Sequence, residues 1–205
     1  MTKHKTIGEI SLLGGHPALD FVNTVDSRGA RWGPEFLTSY SDLVSWARRL
    51  DVIDDEEQRT LLSLATNSPS DAERELIRAR ELRETLHRIL LTETSNEAVR
   101  VRDLELLNEF TRQAQERRSL AIVDDTIEWR HSPARHLDSV TIRVGWLAAN
   151  LLTSRRERRP IRVCEGPNCG WLFLDHSRNG HRRWCSDRTC GSHARVRKFR
   201  AVRAE

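Results

Sequence analysis

The sequence predicts an α+β fold in two parts: a mostly helical N-terminal body with a small β element, and a short C-terminal module organised by cysteines. Three observations predict it. Apolar residues recur at helical spacing through most of the first 154 residues. Two short apolar runs flank Asp124-Asp125, the pattern of a hairpin. All four cysteines fall after residue 163, in two close pairs.

The elements follow in order. Pro17 after Gly14-Gly15 suits a first helical position, and Leu19, Phe21, Val22 and Val25 extend a short helix over residues 17–25. A second helix is predicted from Ser41 to about Leu50, with Ser41-Asp42 as its cap. The run Asp54-Asp55-Glu56-Glu57 puts carboxylates at the next helix N-terminus, where the macrodipole favours them. Ser70 and Glu73 have capping-box spacing, and Leu76, Ala79, Leu82 or Arg83, Leu86, Ile89 and Leu90 carry that helix to about Leu91. A further helix is predicted over residues 95–117, striped by Val101, Leu104, Leu107 and Phe110. Strands over 119–123 and 126–130 follow, then a helix over 134–153 burying Leu137, Val140, Val144, Leu147, Ala148 and Leu151.

Composition narrows the function classes. The 205 residues are 38% hydrophobic and 31% charged. That suits one or two domains of ~100–150 residues each. There is no apolar run of the ~18 residues that a membrane span needs. The opening residues lack an apolar stretch of signal-peptide length, so the chain is expected in the cytoplasm. Net charge is only +4, but it is unevenly spread. Residues 155–205 hold 14 basic side chains against 5 acidic ones, and residues 1–154 hold 20 against 25. A basic module on an acidic body is thus expected, with residues 155–160 (Arg-Arg-Glu-Arg-Arg-Pro) as linker between a body at 1–154 and a module at 161–205.

The cysteine spacing is Cys164-x4-Cys169, fifteen residues, then Cys185-x4-Cys190. In a reducing compartment such clustered thiols read as metal ligands, and x4 is not the spacing of CxxC oxidoreductases. Glu165-Gly166-Pro167-Asn168 suits a tight knuckle. A strand at residues 171–174, a turn at Arg178-Asn179-Gly180 and a returning strand at 181–184 would deliver Cys185. Ser186-Asp187 would then start a helix with Cys190 in its first turn. The whole is a four-cysteine, treble-clef-like zinc finger holding one structural Zn²⁺, because four thiolates leave no open coordination position. A module this small has little core of its own, so metal would supply much of its folding energy. His176, His181 and His193 lie nearby and are not needed as ligands.

Arg178, Arg182 and Arg183 fall on the expected hairpin, and Arg195, Arg197, Lys198, Arg200 and Arg203 on the terminal helix. Val196, Phe199 and Val202 recur every third residue and are expected to pack against the finger. Such a cation cluster on a metal scaffold fits a phosphate-contacting surface.

The run from Cys164 to Arg200, with WLFLDHSRNGHRRWCSDRTCGS at its centre, resembles the CGNR zinc finger. Gly14-Gly15-His16-Pro17-Ala18-Leu19-Asp20-Phe21-Val22-Asn23-Thr24 resembles the opening of the ABATE domain, which accompanies that finger. The resemblance implies zinc ligation by Cys164, Cys169, Cys185 and Cys190. It also implies a bacterial transcription regulator linked to stress, binding nucleic acid through the finger, with an α+β body that takes a small ligand. The naming Cys-Gly-Asn-Arg motif reads Cys190-Gly191-Ser192-His193 here. Neither replaced residue is a thiolate, so the departure bears on a nucleic-acid contact rather than on the metal.

DNA is therefore the expected polymer ahead of RNA. Asp20, Asn23 and Arg28 are the candidate contacts for a small-molecule effector. An RNA-binding finger and a protein-docking finger are the alternatives. No P-loop, HExxH or nucleophile-elbow motif supports an enzyme. No dimer seam is legible in the sequence.

Overall fold

A computed structural model describes residues 6–29, 31–95 and 97–202. The body runs α1 (Pro17–Val22), α2 (Tyr40–Arg49), α3 (Asp55–Asn67), α4 (Pro69–Leu91) and α5 (Val101–Glu116). The hairpin β1 (Arg118–Val123) and β2 (Thr126–His131) follows, and α6 (Ser139–Thr153) completes the body. The C-terminal part contributes β3 (Ile161–Val163), β4 (Leu172–Leu174), one π-helical turn (Asp187–Gly191) and α7 (Ser192–Val202). Both sheets are two-stranded and antiparallel.

Several element starts differ from the sequence expectation, each for a local reason. Helix α2 is capped by Ser39, not Ser41, because Asp42 stands three residues after Ser39 and completes a reciprocal capping box. In α4 Pro69 takes the first position and Ser70 and Glu73 lie inside the helix; the fixed proline φ supplies the start, and Ser68 makes no side-chain cap. Helix α5 starts at Val101 rather than Ser95, where Asp103 in its first turn accepts from Arg88 Nε at 3.0 Å. Helix α6 starts at Ser139 rather than Ala134, whose N–H is drawn to Glu57 Oε1 at 2.8 Å on α3.

The body core is helical. Helix α6 packs on α5, α4 and α1, and α1 packs on α4. Phe21, Trp46, Phe110, Leu82, Leu86, Leu90 and Ile142 are among its fully buried side chains. Arg83 occupies one core-facing position of α4 at 2% exposure. It is tolerated because Glu35 grips it at 2.6 Å through both oxygens and Glu84 accepts from its Nε at 2.8 Å.

The C-terminal part shares this core. Ile161, Trp171, Leu172, Phe173 and Leu174 are buried in the same cluster as Phe21 and Val22. Strand β4 packs against α1. Asn23 fastens the contact: its Nδ2 donates to Leu172 O at 2.8 Å and its Oδ1 accepts from Leu172 N at 3.0 Å. The outer edge of a three-residue strand is thus satisfied by one buried side-chain amide. Trp171 Nε1 donates to Val25 O at 2.7 Å, and Leu174 N to Gly14 O at 2.9 Å.

Asn23→Ala leaves both Leu172 backbone groups buried and unpaired, at about 1–3 kcal/mol each. The expected outcome is a lower urea midpoint at unchanged slope, corresponding to a total loss of about 2–6 kcal/mol.

Candidate metal centre and basic surface

The four sulfurs are assembled by three short segments. Strands β3 and β4 pair Ile161 with Leu174 and Val163 with Leu172, flanking a knuckle that carries Cys164 and Cys169. The sequence expectation paired residues 171–174 with 181–184. Instead β4 pairs with β3, and 181–184 is not a strand. The reason is Asp175, fully buried, which closes the intervening loop by itself. Its carboxylate accepts from Ser177 N at 3.0 Å, Ser177 Oγ at 2.5 Å and Arg182 N at 3.0 Å. Burial alone would raise its pKa, but these hydrogen bonds hold it below the ordinary carboxylate range. The same loop delivers Cys185. Ser186 then caps the π-helical turn that carries Cys190, its side chain accepting from Thr189 N at 3.3 Å.

All four Sγ atoms lie within 4.8 Å of one another. Cys169 and Cys185 are 3.8 Å apart, and Cys185 and Cys190 3.7 Å. A tetrahedron of ~2.3 Å Zn–S bonds has edges of about 3.8 Å, so the donor set fits one structural Zn²⁺. Backbone N–H groups of Gly166 and Cys185 point at Cys164 Sγ from 3.4 and 3.2 Å, as they would toward a thiolate. Gly166 is required by space, since a Cβ there would stand 2.7 Å from Cys190 Sγ. Hydrogen bonds from the Cys169 and Cys185 thiols hold Cys164 far below the usual thiol range, and the same bonds push those two partners up. Zinc must displace the protons they hold. His176, His181 and His193 are not part of the cluster.

The body is built against the knuckle. Arg28 N donates to Cys169 O at 2.7 Å, and Gly29 N to Asn168 O at 3.2 Å. Asn168, held at a φ of 63°, exchanges two 2.7 Å hydrogen bonds with the Arg31 backbone. A Cβ on Gly29 would come within 2.6 Å of Asn168 Cα, so only glycine permits this approach.

The three residues put forward for an effector are engaged inside the chain. Asp20, 4% exposed, accepts from Gly14 N at 2.8 Å, and burial pushes its carboxyl up to about 6. Asn23 holds β4. Arg28 is clamped by Glu84 at 2.7 Å and by Val22 O at 2.8 Å. A cavity of about 270 Å³ does lie where body and finger meet, lined by Leu13, Asp26, Phe36, Trp171, Thr189 and His193.

The cations proposed for nucleic acid divide into three groups. Arg182 is half-buried and internal: Nε donates to Trp184 O at 2.8 Å, Nη2 donates to Cys185 O, and the guanidinium lies 4.5 Å from the Phe173 ring centroid. Arg183 and Arg195 are exposed but paired, with Glu165 at 2.5 Å and Asp187 at 2.8 Å, and both flank the Trp184 ring. Arg178, Arg197, Lys198 and Arg200 are exposed with no acceptor among the described residues. Arg188 on the π-helical turn has the same character and was missed, although its place between Asp187 and Cys190 marks it as exposed. Arg203 lies outside the described residues. Val196 and Phe199, expected to pack inward, are 46% and 57% exposed. The buried cluster of the finger is made by β3, β4 and the cysteine segments, and both side chains lie outside it.

A helical body joined to a four-cysteine metal module defines a zinc-finger protein. The chain matches the CGNR zinc finger over residues 160–203. It matches the ABATE family, described as "Putative stress-induced transcription regulator", over residues 15–155, and it belongs to that family. No curated protein gives a significant match.

Purified protein is expected to carry about one zinc per chain, as one four-thiolate site requires. Because every ligand must be deprotonated, zinc affinity should fall steadily as pH is lowered, read by competition with a chromogenic chelator. Cys164→Ser should abolish retention of the metal.

Proposed function

We propose that this protein is a regulator that binds DNA through the solvent face of its finger. The observation that supports this most directly is the set Arg178, Arg188, Arg197, Lys198 and Arg200, exposed, unpaired within the described chain, and mounted on a metal-braced scaffold. Exposed cations without acceptors have counter-ions to release, which is the electrostatic basis of polyanion binding. Arg183 and Arg195 join the surface by exchanging their carboxylate partners for phosphate. Trp184, flanked by both, offers a ring face for a base. His193 stands where family members carry arginine and adds little charge at neutral pH.

Zinc supplies a rigid fold here and takes no part in contact chemistry. Arg182 acts as a brace behind the surface, not as a contact. The family description favours DNA over RNA as the polymer. The role is one of binding, in keeping with the regulator family to which the chain belongs. Among the described residues no helix is long and apolar enough to cross a membrane; we place the protein in the cytoplasm because a regulator of transcription acts there. For the small-ligand role we favour the 270 Å³ cavity beside His193. Asp20, Asn23 and Arg28 then serve to hold the finger on the body. The division into body (1–154), linker (155–160) and finger (161–205) is retained as a division of labour.

Five phosphate contacts give a log–log salt slope of about −4.5. Arg197→Glu, Lys198→Glu and Arg200→Glu together should cut duplex affinity at least ~100-fold and flatten the slope by about 3, with zinc content unchanged. Arg182→Glu, by contrast, should lose zinc as well as binding. Unchanged affinity in the triple variant would remove this surface from consideration. Tighter binding to RNA than to DNA would assign the other polymer.

A further inference from the structure

The hairpin β1–β2 presents an apolar face that the described residues leave largely exposed. Leu120, Ile122, Ile127 and Trp129 are 60%, 79%, 73% and 55% exposed. The register pairs Leu120 with Trp129 and Ile122 with Ile127, so all four project from the same side of the ribbon. An isolated two-stranded ribbon is marginal in water. One that shows its largest apolar residues to solvent is built to be covered.

Area and charge identify the cover. Whole side chains of this size present about 180–250 Å² each, so these four expose on the order of 500 Å². With interfaces ~60% apolar, that core belongs to a footprint of about 800 Å² per partner, the standard size for a specific complex. The two ends of the ribbon carry opposite charge. The tip is Asp124-Asp125, both exposed and both at positive φ. The base carries Arg118, whose guanidinium lies 5.0 Å from the Trp129 ring centroid and 3.8 Å from that of Trp146. Its Nε and Nη1 are buried between these rings without a hydrogen-bond acceptor among the described residues, so it acts on a partner as a nearby positive charge and not through those two donors. Acid tip, apolar middle and cationic base form a pattern complementary to its own antiparallel copy, as an isologous twofold interface requires.

We infer that two copies of this chain pack these hairpin faces together, antiparallel about a twofold axis, with the Asp124-Asp125 tip of each ribbon over the Arg118 base of the other. Ile122 and Ile127 lie toward the middle of the joint and Trp129 nearer its basic end. Each copy brings its own basic finger to the dimer. The inference stands independently of what those fingers bind.

The test is sedimentation of full-length, zinc-loaded protein from about 1 to 100 μM, which covers the weak end for interfaces of this size. The expected result is a species of twice the 23.7 kDa chain mass. Ile122→Glu with Ile127→Glu should raise the dimer dissociation constant at least ~100-fold by burying charge in the joint. Thermal unfolding, extrapolated to the monomer, and zinc content should not change. The milder Ile127→Thr keeps β-branching and should weaken the dimer by about tenfold, guarding against a double variant that fails to fold. Asp124→Lys with Asp125→Lys should also weaken it by about tenfold. A wild-type monomer across the whole range overturns the proposal. So does a dimer indifferent to all three variants. A monomer whose glutamate variant loses nucleic-acid binding also overturns it, and assigns the face to the polymer.

Discussion

Four sulfurs held at tetrahedral separation are the constraint on which the C-terminal module depends. The knuckle strands are three residues each, the following segment has no ladder of its own, and the π-helical turn is a single turn. None of these pieces is long enough to persist alone. Zinc clamps their ends at one point, and the buried Asp175 carboxylate and the Arg182 guanidinium hold the loop between them. The cations can then stay on the outside, because none of Arg178, Arg188, Arg197, Lys198 or Arg200 is needed to hold the fold.

The finger is not simply appended to the body. Residues 14–29 and Arg31 run along it, giving Gly14 O to Leu174, Asn23 to both polar groups of Leu172, Val25 O to Trp171, and the backbone N–H groups of Arg28, Gly29 and Arg31 to the knuckle. The body in turn fixes that segment from α4, where Arg83 Nη1 donates to Thr24 Oγ1 at 3.2 Å and Glu84 pairs with Arg28 at 2.7 Å. An event at the body–finger cavity would therefore be felt at Cys169 and Cys190, which line it.

Much of this was legible in the sequence, and the reasons are specific. Cysteine spacing identified the ligands, because few chemistries need four thiols so placed. Helical periodicity located most of the body elements, and Asp124-Asp125 marked the hairpin turn. Helix starts were less legible: Ser39 and Ser41 have similar cap chemistry, and only the reach of Asp42 separates them. Long-range partners were not legible at all. Asn23 read as a ligand contact because nothing local reveals that its amide meets Leu172, 149 residues away. Arg182 read as a surface cation because its two carbonyl acceptors come from a non-repetitive turn. Val196 and Phe199 kept a helical stripe, but both lie outside the buried cluster of the finger.

On these contacts, metal, finger and the first helix of the body should open as one cooperative unit. Amide hydrogen exchange of the full chain, before and after zinc is withdrawn by a chelator, tests it most directly. The account predicts that protection at Cys164, Cys169, Leu172 and Leu174 collapses together with that at Asn23 and Thr24, while the centres of α4 and α6 keep theirs. Loss confined to the residues between Cys164 and Cys190, with residues 14–31 as protected as before, would contradict it.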